Sequence, residues 1–277
     1  MNNPVFIRSL YNPQQPTEDS LGKGKLFYKE HVPCIHLQPY VHCFWELKST
    51  EPLSTTYNYR VITDGCIDLI IDCQSFNGML IAGIADTSFE VPMDGTVSYL
   101  GIRFLPASIH TFLKFPVSTI INQMLNVDNL SDRSLDSLAE LIFEKNDLTG
   151  RILVAESFLL KLLSKRNSEI HPGLARALHH ILSTGGDISI QNKAAEWISP
   201  RQLRRLFHDH VGCSPKLFAR ITRFQKTLYT MRYGSPGERI NPFYQHGYFD
   251  QAHFIKEFKL LYGSTPAFYV KSDTGNQ

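Results

Sequence analysis

Guanidinium and amide side chains on one helix face, with large apolar side chains on the other, are equipment for reading base-pair edges. Arginine bonds bidentately to guanine O6 and N7, glutamine to adenine N6 and N7, while the apolar face docks on a scaffold. Two stretches in the last third of the chain have this make-up. In SPRQLRRLFHDHVGCSPKLF (Ser199 to Phe218), Leu203, Leu206 and Phe207 repeat at helical spacing, with Arg201, Arg204 and Arg205 on the opposite side and Gln202 among them. In GYFDQAHFIKEFKLLYGSTPAFY (Gly247 to Tyr269), Phe254, Phe258 and Leu261 make the apolar stripe, and Gln251, Lys256 and Lys259 lie outside it. Ala252, beside Gln251, can touch at most a thymine methyl. Ser199 and Asp250 are N-cap residue types whose side-chain oxygens accept first-turn N–H groups. Each helix runs into a Gly-x-Ser/Thr-Pro break and a further apolar segment. A charge run alone is commonly a solvated helix face. The same two-sided unit, repeated after about fifty residues, predicts two recognition helices on one rigid module.

The spacing S-x-x-x-L-x-R-x-F…G-x-S-P, then G-[FY]-x-D-x-x-H-F-x-[RK]-x-F-[KR]…G-x-[ST]-P, resembles the AraC/XylS-type transcriptional regulators over about Ile188 to Val270. The resemblance implies sequence-specific binding to double-stranded DNA, contacts with RNA polymerase, and activation more often than repression. It also implies a long linker helix between the two units, here Pro215 to about Arg232, buried along Leu217, Ile221, Phe224, Leu228 and Met231. On the same ground Arg201 and Arg204 face base edges, Arg205 faces base or phosphate, and His253 faces the scaffold. His208 and His210, near the end of the first helix, are expected at solvent or near phosphate. Two departures stand out. Lys193-Ala194 replaces the usual Leu-Ala pair in ISIQNKAAEWIS, where the run to Ser199 is one residue short, and Pro242-Phe243 replaces Ile-Ala in RINPFYQHGYFD. Proline is tolerated only in a first helical turn, which leaves Pro242 to about His246, capped by Asn241, as the second positioning helix. The second unit is therefore expected to sit poorly and to read bases less well than the first.

Composition divides the chain in two. From His171 onward there are 14 Lys and Arg against 7 Asp and Glu, and before it 14 against 19. A basic half joined to an acidic half is the footprint of one nucleic-acid domain attached to one that is not, and its DNA affinity should weaken steeply with salt. The opening MNNPVFIRSLYNPQQP has no apolar h-region, and no stretch approaches eighteen apolar residues, so no membrane segment is expected. Five cysteines at irregular positions, with no C-x-x-C, fit a reduced cytoplasmic protein.

Residues 1–24, rich in Pro, Gln, Asn and Gly, read as an irregular arm. Short β-branched and aromatic runs follow, predicting strands at Lys25–Glu30, Val41–Leu47, Tyr57–Ile62, Ile67–Asp72, Met79–Gly83 and Val97–Phe104, with Asp64-Gly65 and Asn77-Gly78 as tight turns. Such strands suggest a barrel or sandwich. Helical spacing takes over in Ala107–Leu113, Val117–Leu125, Leu135–Lys145 and Arg151–Lys165. In the last of these, Ile152, Ala155, Phe158, Leu159, Leu162 and Leu163 form a stripe that fits either a partner helix or an internal core. PYVHCFWEL…TDGCIDLIID…GIRF-P is similar to the sensory domain of a bacterial subfamily of the same regulators, which implies a regulatory domain and names no effector.

The predicted fold is thus an α+β sensory and dimerisation domain at 25–167, barrel- or sandwich-like and then helical. An all-α tandem helix-turn-helix domain at 171–270 and a tail at 271–277 follow. The expected protein is no enzyme. It is a homodimeric regulator without cofactor or metal, modulated by a small-molecule effector in its N-terminal domain, where Trp45, Phe44 and Tyr40 could line a pocket or simply be core. His31, Cys34, His36, His42 and Cys43 are zinc-ligand types, but their spacing matches no strong zinc pattern, and none of these histidines forms an H-x-H. A second reading makes the chain an alkylation or stress sensor, with Cys66 or Cys43 accepting an alkyl group that the helix-turn-helix pair reports.

Overall fold

Alternation of side chains explains the first half of the molecule. Its strands are β1 (Leu26–His31), β2 (Val41–Ser49), β3 (Leu53–Val61), β4 (Ile67–Asp72), β5 (Met79–Ala82), β6 (Phe89–Gly95), β7 (Ser98–Phe104) and β8 (Met124–Asn126). Six form an antiparallel sheet in the order β1-β2-β7-β4-β5-β8, and β3 pairs with β6 in a separate antiparallel ribbon. On β4 and β7, Leu69, Ile71, Leu100, Ile102 and Phe104 point one way and join the main core with Phe44 of β2. The alternate positions Asp68, Gly101 and Arg103 point the other way, because side chains one residue apart lie on opposite faces. On that second side Cys43, Trp45 and Leu47 pack against Leu53, Tyr59 and Met93 of the ribbon. The sheet is therefore covered on both faces, by helices and by the ribbon.

The structure is a computed structural model that describes residues 5–16, 24–133, 135, 137–165, 170–186, 198–240 and 242–273. The helices are α1 (Val5–Leu10), α2 (Leu138–Phe143), α3 (Leu148–Lys165), α4 (Pro172–Thr184), α5 (Pro200–His210), α6 (Pro215–Tyr233), α7 (Pro236–Ile240), α8 (Pro242–Gln245), α9 (Gln251–Tyr262) and α10 (Pro266–Asp273). The fold is the expected one, a sheet-rich N-terminal part followed by an all-helical part. Its main core crosses between the two: Leu174, Leu178 and Ile181 of α4, Leu203 and Phe207 of α5, and Phe218 and Ile221 of α6 join the cluster formed by the sheet. A second cluster holds Phe224, Leu228, Phe243, Phe254, Phe258, Leu261 and Tyr269 around Ile62.

Several expectations need correction. Residues 5–16 are a seated segment, not an irregular arm: Ile7 and Tyr11 are buried, and Arg8 Nη1 donates to the carbonyls of Val41 and His42 at 2.9 and 2.8 Å. Strand β6 escaped the sequence reading because FEVPMDG contains Pro92, which a two-stranded ribbon accommodates at an open edge. The expected helix Ala107–Leu113 shrinks to a 3-10 turn at Ile109–Thr111, after Ala107 adopts a left-handed φ of 62°. Val117–Leu125 is a 3-10 turn at Val117–Ile120 that reverses at Asn122 (φ 54°) into β8. Its β-branched residues disfavour a helix. Only Ala155 and Leu159 of α3 are fully buried. Among the described residues no helix is long and apolar enough to cross a membrane.

Gly101 makes room for Trp45. The two are cross-strand partners, and a Cβ at Gly101 would lie 1.9 Å from the indole. Gly101→Ala should therefore expel the ring from the space between sheet and ribbon, at the typical overpacking cost of about 1–3 kcal/mol. Denaturant unfolding followed by tryptophan fluorescence would show the loss. An unchanged midpoint would mean that the ring yields freely.

Candidate nucleic-acid interface

The two basic stretches fold as two copies of one unit. Ser199 caps α5 by accepting from the Gln202 amide at 3.2 Å, and Asp250 caps α9 by accepting from the His253 amide at 2.7 Å. Leu203, Leu206 and Phe207 are buried, while Arg201, Arg204, Arg205 and His208 make an exposed stripe. Gln202 is half-buried. Those three arginines form no hydrogen bond or ion pair with described residues, so their guanidinium groups face solvent. On α9, Phe254, Phe258 and Leu261 are buried, and Gln251, Ala252, Lys256 and Lys259 are exposed. Both helices end at a glycine in the left-handed region, Gly212 (φ 92°) and Gly263 (φ 88°). After the first, Ser214 caps α6 through the Leu217 amide at 3.1 Å. The first positioning segment, including Lys193 and Ala194, lies outside the described residues, as does Asn241.

Helix α6 connects the two units over 19 residues and is buried along Phe218, Ile221, Phe224, Leu228 and Met231, with Leu217 half-buried. It holds α9 through a buried charge pair that the sequence reading missed. Arg223 donates to Glu257 Oε1 from Nε (3.2 Å) and Nη2 (2.7 Å), and Arg220 Nε donates to Glu257 Oε2 at 3.0 Å. The Arg223 guanidinium also lies over the Tyr248 ring at 4.5 Å. The expectation of a poorly seated second unit is corrected here. Helix α8 has only four residues, yet Phe243 is buried and stacks on Phe254 at 5.6 Å. His253 is half-exposed and packs on Tyr248 at 5.7 Å.

Both recognition helices end on the N-terminal half. Terminal carbonyls of a helix have no partner within it, and here other segments supply them. His110 Nε2 lies 2.5 Å from the Asp209 carbonyl, and the His110 and His210 rings pack 4.4 Å apart. At the end of α9 the Ser88 amide donates to the Leu260 carbonyl (3.1 Å) and the Thr63 amide to the Leu261 carbonyl (3.3 Å). Of the two terminal histidines, His208 is exposed as expected, whereas His210 is half-buried against the other half of the chain. Residues 5–16 add a third tie. Gln14 N donates to Gln225 Oε1 at 2.6 Å, Gln225 Nε2 to the Thr63 carbonyl at 2.7 Å, and Arg232 to Gln14 Oε1 and the Gln15 carbonyl at 3.1 Å each.

A cavity of about 220 Å³ lies between the six-stranded sheet and the β3–β6 ribbon. Trp45 lines it, whereas Phe44 belongs to the main core and Tyr40 packs on Phe112. Its floor carries Arg103, cross-strand partner of Asp68, bonded to Asp68 at 2.9 and 3.1 Å and paired with Asp64 at 3.3 Å. A lone arginine between Ile102 and Phe104 was the visible signal for this cluster.

Of the zinc-ligand types, only His42 and Cys43 come together, with Glu30, their ligand atoms all within 4.8 Å. Arg103 lies 3.5 Å from Glu30, a cation where a metal would need none. Burial, the largest influence, works to raise the Glu30 carboxyl, but hydrogen bonding to His42, the Arg103 charge and the Tyr28 hydroxyl hold it down to about 2. Cys43 and Cys66 are buried, and burial pushes both thiols well above the ordinary range. Reactive cysteines have lowered values and some exposure, so neither is placed to accept an alkyl group.

Residues 194–272 match a family described as a helix-turn-helix domain, and residues 29–126 match a domain of unknown function (DUF6597). No curated protein matches the chain. Among solved structures the chain is similar to an apo variant of ToxT from Vibrio cholerae strain SCE256, at 12% identity over 81% of this chain and 96% of that one, with a TM-score of 0.40. It is also similar to ToxT from Vibrio cholerae O395, at 15% identity over 84% and 99%, with a TM-score of 0.36.

The His110–His210 contact carries a pH signature. Burial, and next the charge of His110, lower His210 from 6.5 to about 4, and burial lowers His110 as well. The folded form thus disfavours the proton, so the contact is at full strength above pH 6.5 and is lost as pH falls toward 4. The melting temperature should drop across that window more steeply in the natural chain than in His210→Gln. Parallel curves would show that the pair contributes nothing.

Proposed function

We propose that this chain, a DNA-binding regulator with an AraC-type helix-turn-helix domain, is an effector-modulated transcription activator that works as a homodimer and performs no catalysis. The exposed arginine stripe of α5, mounted with α9 on one buried helix, is the observation that carries the DNA-reading part. Nineteen residues at about 1.5 Å each make α6 about 28 Å long. Both recognition helices pack on this one helix, α5 beside Phe218 and α9 through Arg220 and Arg223, so their exposed faces can be offered to one continuous duplex. Arg201 and Arg204 read bases in the first groove, Arg205 meets base or phosphate, with Gln202 beside them, and Gln251, Ala252 and Lys256 meet the second. RNA polymerase is the partner that an activator of this type requires.

Effector modulation is supported by a mechanical path. One end of the ribbon that roofs the cavity, where β3 stops and β6 starts, lies beside the two amides that cap α9: Thr63 follows β3 and Ser88 precedes β6. A ligand that shifts the ribbon shifts the support of the second recognition helix. Dimerisation is supported by an exposed apolar patch, since Leu153 on α3 is 56% exposed and Val32 and Ile35 are 71% and 68% exposed. The Cys34 amide donates to Glu156 of α3 at 2.6 Å, which holds that loop against the helix. Clustered exposed apolar residues of this kind mark partner surfaces.

Arg204→Ala should cost about 1–3 kcal/mol on the specific site and relax base preference there, while binding to random DNA barely changes. Equal losses on both would make Arg204 a phosphate contact. Alanine at Gln251 or Lys256 should do less harm than at Arg201 or Arg204. A footprint in which the Gln251 variant loses more would reverse that ranking.

Light scattering on Leu153→Glu should find a folded monomer, and an unchanged dimer would place the interface elsewhere. Leu159→Glu, at a fully buried position, should instead unfold the chain.

A further inference from the structure

The cavity under the ribbon has an apolar, aromatic wall and a floor at Arg103, around which the charges do not balance. Trp45, Tyr28, Tyr59 and Tyr99 line it with Phe89 and Met93. Arg103 and Asp68 form its floor, 2.9 Å apart, and behind that floor the same guanidinium meets Asp64 at 3.3 Å and Glu30 at 3.5 Å. His42, 3.7 Å from Glu30, adds a positive charge only when protonated. Each guanidinium nitrogen of Arg103 is already engaged. Nε and Nη2 serve Asp68, and Nη1 faces the Tyr28 hydroxyl at 3.3 Å as well as Glu30. The Trp45 indole N–H is likewise spent on Asp68 at 3.0 Å.

An anionic ligand entering this space would meet a guanidinium whose three nitrogens already serve protein groups and would add to an existing negative surplus. A positively charged ligand would offset that surplus and lie against ring faces that attract cations. The volume is below the roughly 300–1,000 Å³ of drug-sized sites, which limits the ligand to a small molecule. We propose that the cavity between sheet and ribbon binds a small organic cation, an amine or quaternary ammonium with one apolar or aromatic body. The cation is held over Asp68 and between the Trp45 and tyrosine rings. This assignment rests on the reading of the cavity as the effector site and gives that site its ligand class.

The test compares three phenylalkyl probes of similar size and different charge on the full chain: phenethylammonium, hydrocinnamate and hydrocinnamyl alcohol. Isothermal titration should give phenethylammonium a Kd at least about ten-fold below that of hydrocinnamate. Asp68→Asn would strand Arg103 and risk misfolding, so the charge test uses Glu30→Gln, which leaves the Asp68–Arg103 pair intact. It should weaken phenethylammonium several-fold and narrow its advantage. Met93→Trp, which fills the cavity, should abolish binding of every probe that binds the natural chain. The proposal is overturned if hydrocinnamate or the alcohol binds as well as the amine, if none of the three binds, or if Glu30→Gln leaves the preference unchanged. Operator affinity measured in parallel separates this from the effector role. A bound amine that leaves DNA affinity constant removes that role but keeps the cation site, whereas a bound carboxylate that shifts DNA affinity does the reverse.

Discussion

The ends of the two recognition helices are finished by the other half of the molecule. A helix leaves its last carbonyls without internal partners. Here His110 meets the carbonyl of Asp209, and the amides of Ser88 and Thr63 meet those of Leu260 and Leu261. These contacts fix where both helices sit relative to the sheet. They also explain why the main core runs without a break from Phe104 to Phe218. A tether between independent domains would require neither feature. Position in this chain is set by packing across the two halves.

That arrangement makes the ribbon the element with most influence per residue. Its inner face closes the cavity, and its flanking residues hold α9. Gly263, at the end of α9, has a φ of 88° that a side chain would strain, and a Cβ there would press on the Ser88 hydroxyl at 2.9 Å. Small displacements of the ribbon are therefore felt directly at the second recognition helix, since close-packed interiors transmit strain and do not absorb it. The first helix is braced separately, by Val117, His110 and the core.

The sequence disclosed the helical half well. Caps at Ser199 and Asp250, the buried stripes and the glycine breaks were legible because each depends on residues three or four apart. Strands with strict alternation, such as β4, were equally plain. What stayed hidden depends on distant partners. Pro92 interrupts any local strand pattern in FEVPMDG, and the strand forms because it pairs on one side only, with β3. Residues 5–16 looked irregular because their order comes from Val41, His42 and Gln225. His210 looked like a solvent-facing residue at a helix end, since nothing local announces His110. Arg103, Asp68 and Asp64 stood in view within GIRF and TDGCIDLIID, but only the β4–β7 register brings them together.

The second helix-turn-helix unit shows how a weak local element is replaced by non-local ones. Helix α8 spans four residues behind a proline, too short to position anything by its own hydrogen bonds. Seating comes instead from rings: Phe243, Tyr248, Phe254, Phe258, Tyr262 and Tyr269 contact one another at 5.2 to 5.9 Å. It also comes from Glu257, which reaches back to two arginines of α6. Removing one partner of a buried ion pair costs about 3–5 kcal/mol, far more than the pair contributes relative to an apolar replacement. Its value here is therefore orientation, since the carboxylate of Glu257 is satisfied only when α9 lies at one angle across α6. The first unit is specified by the pattern of its own helix, and the second by what surrounds it.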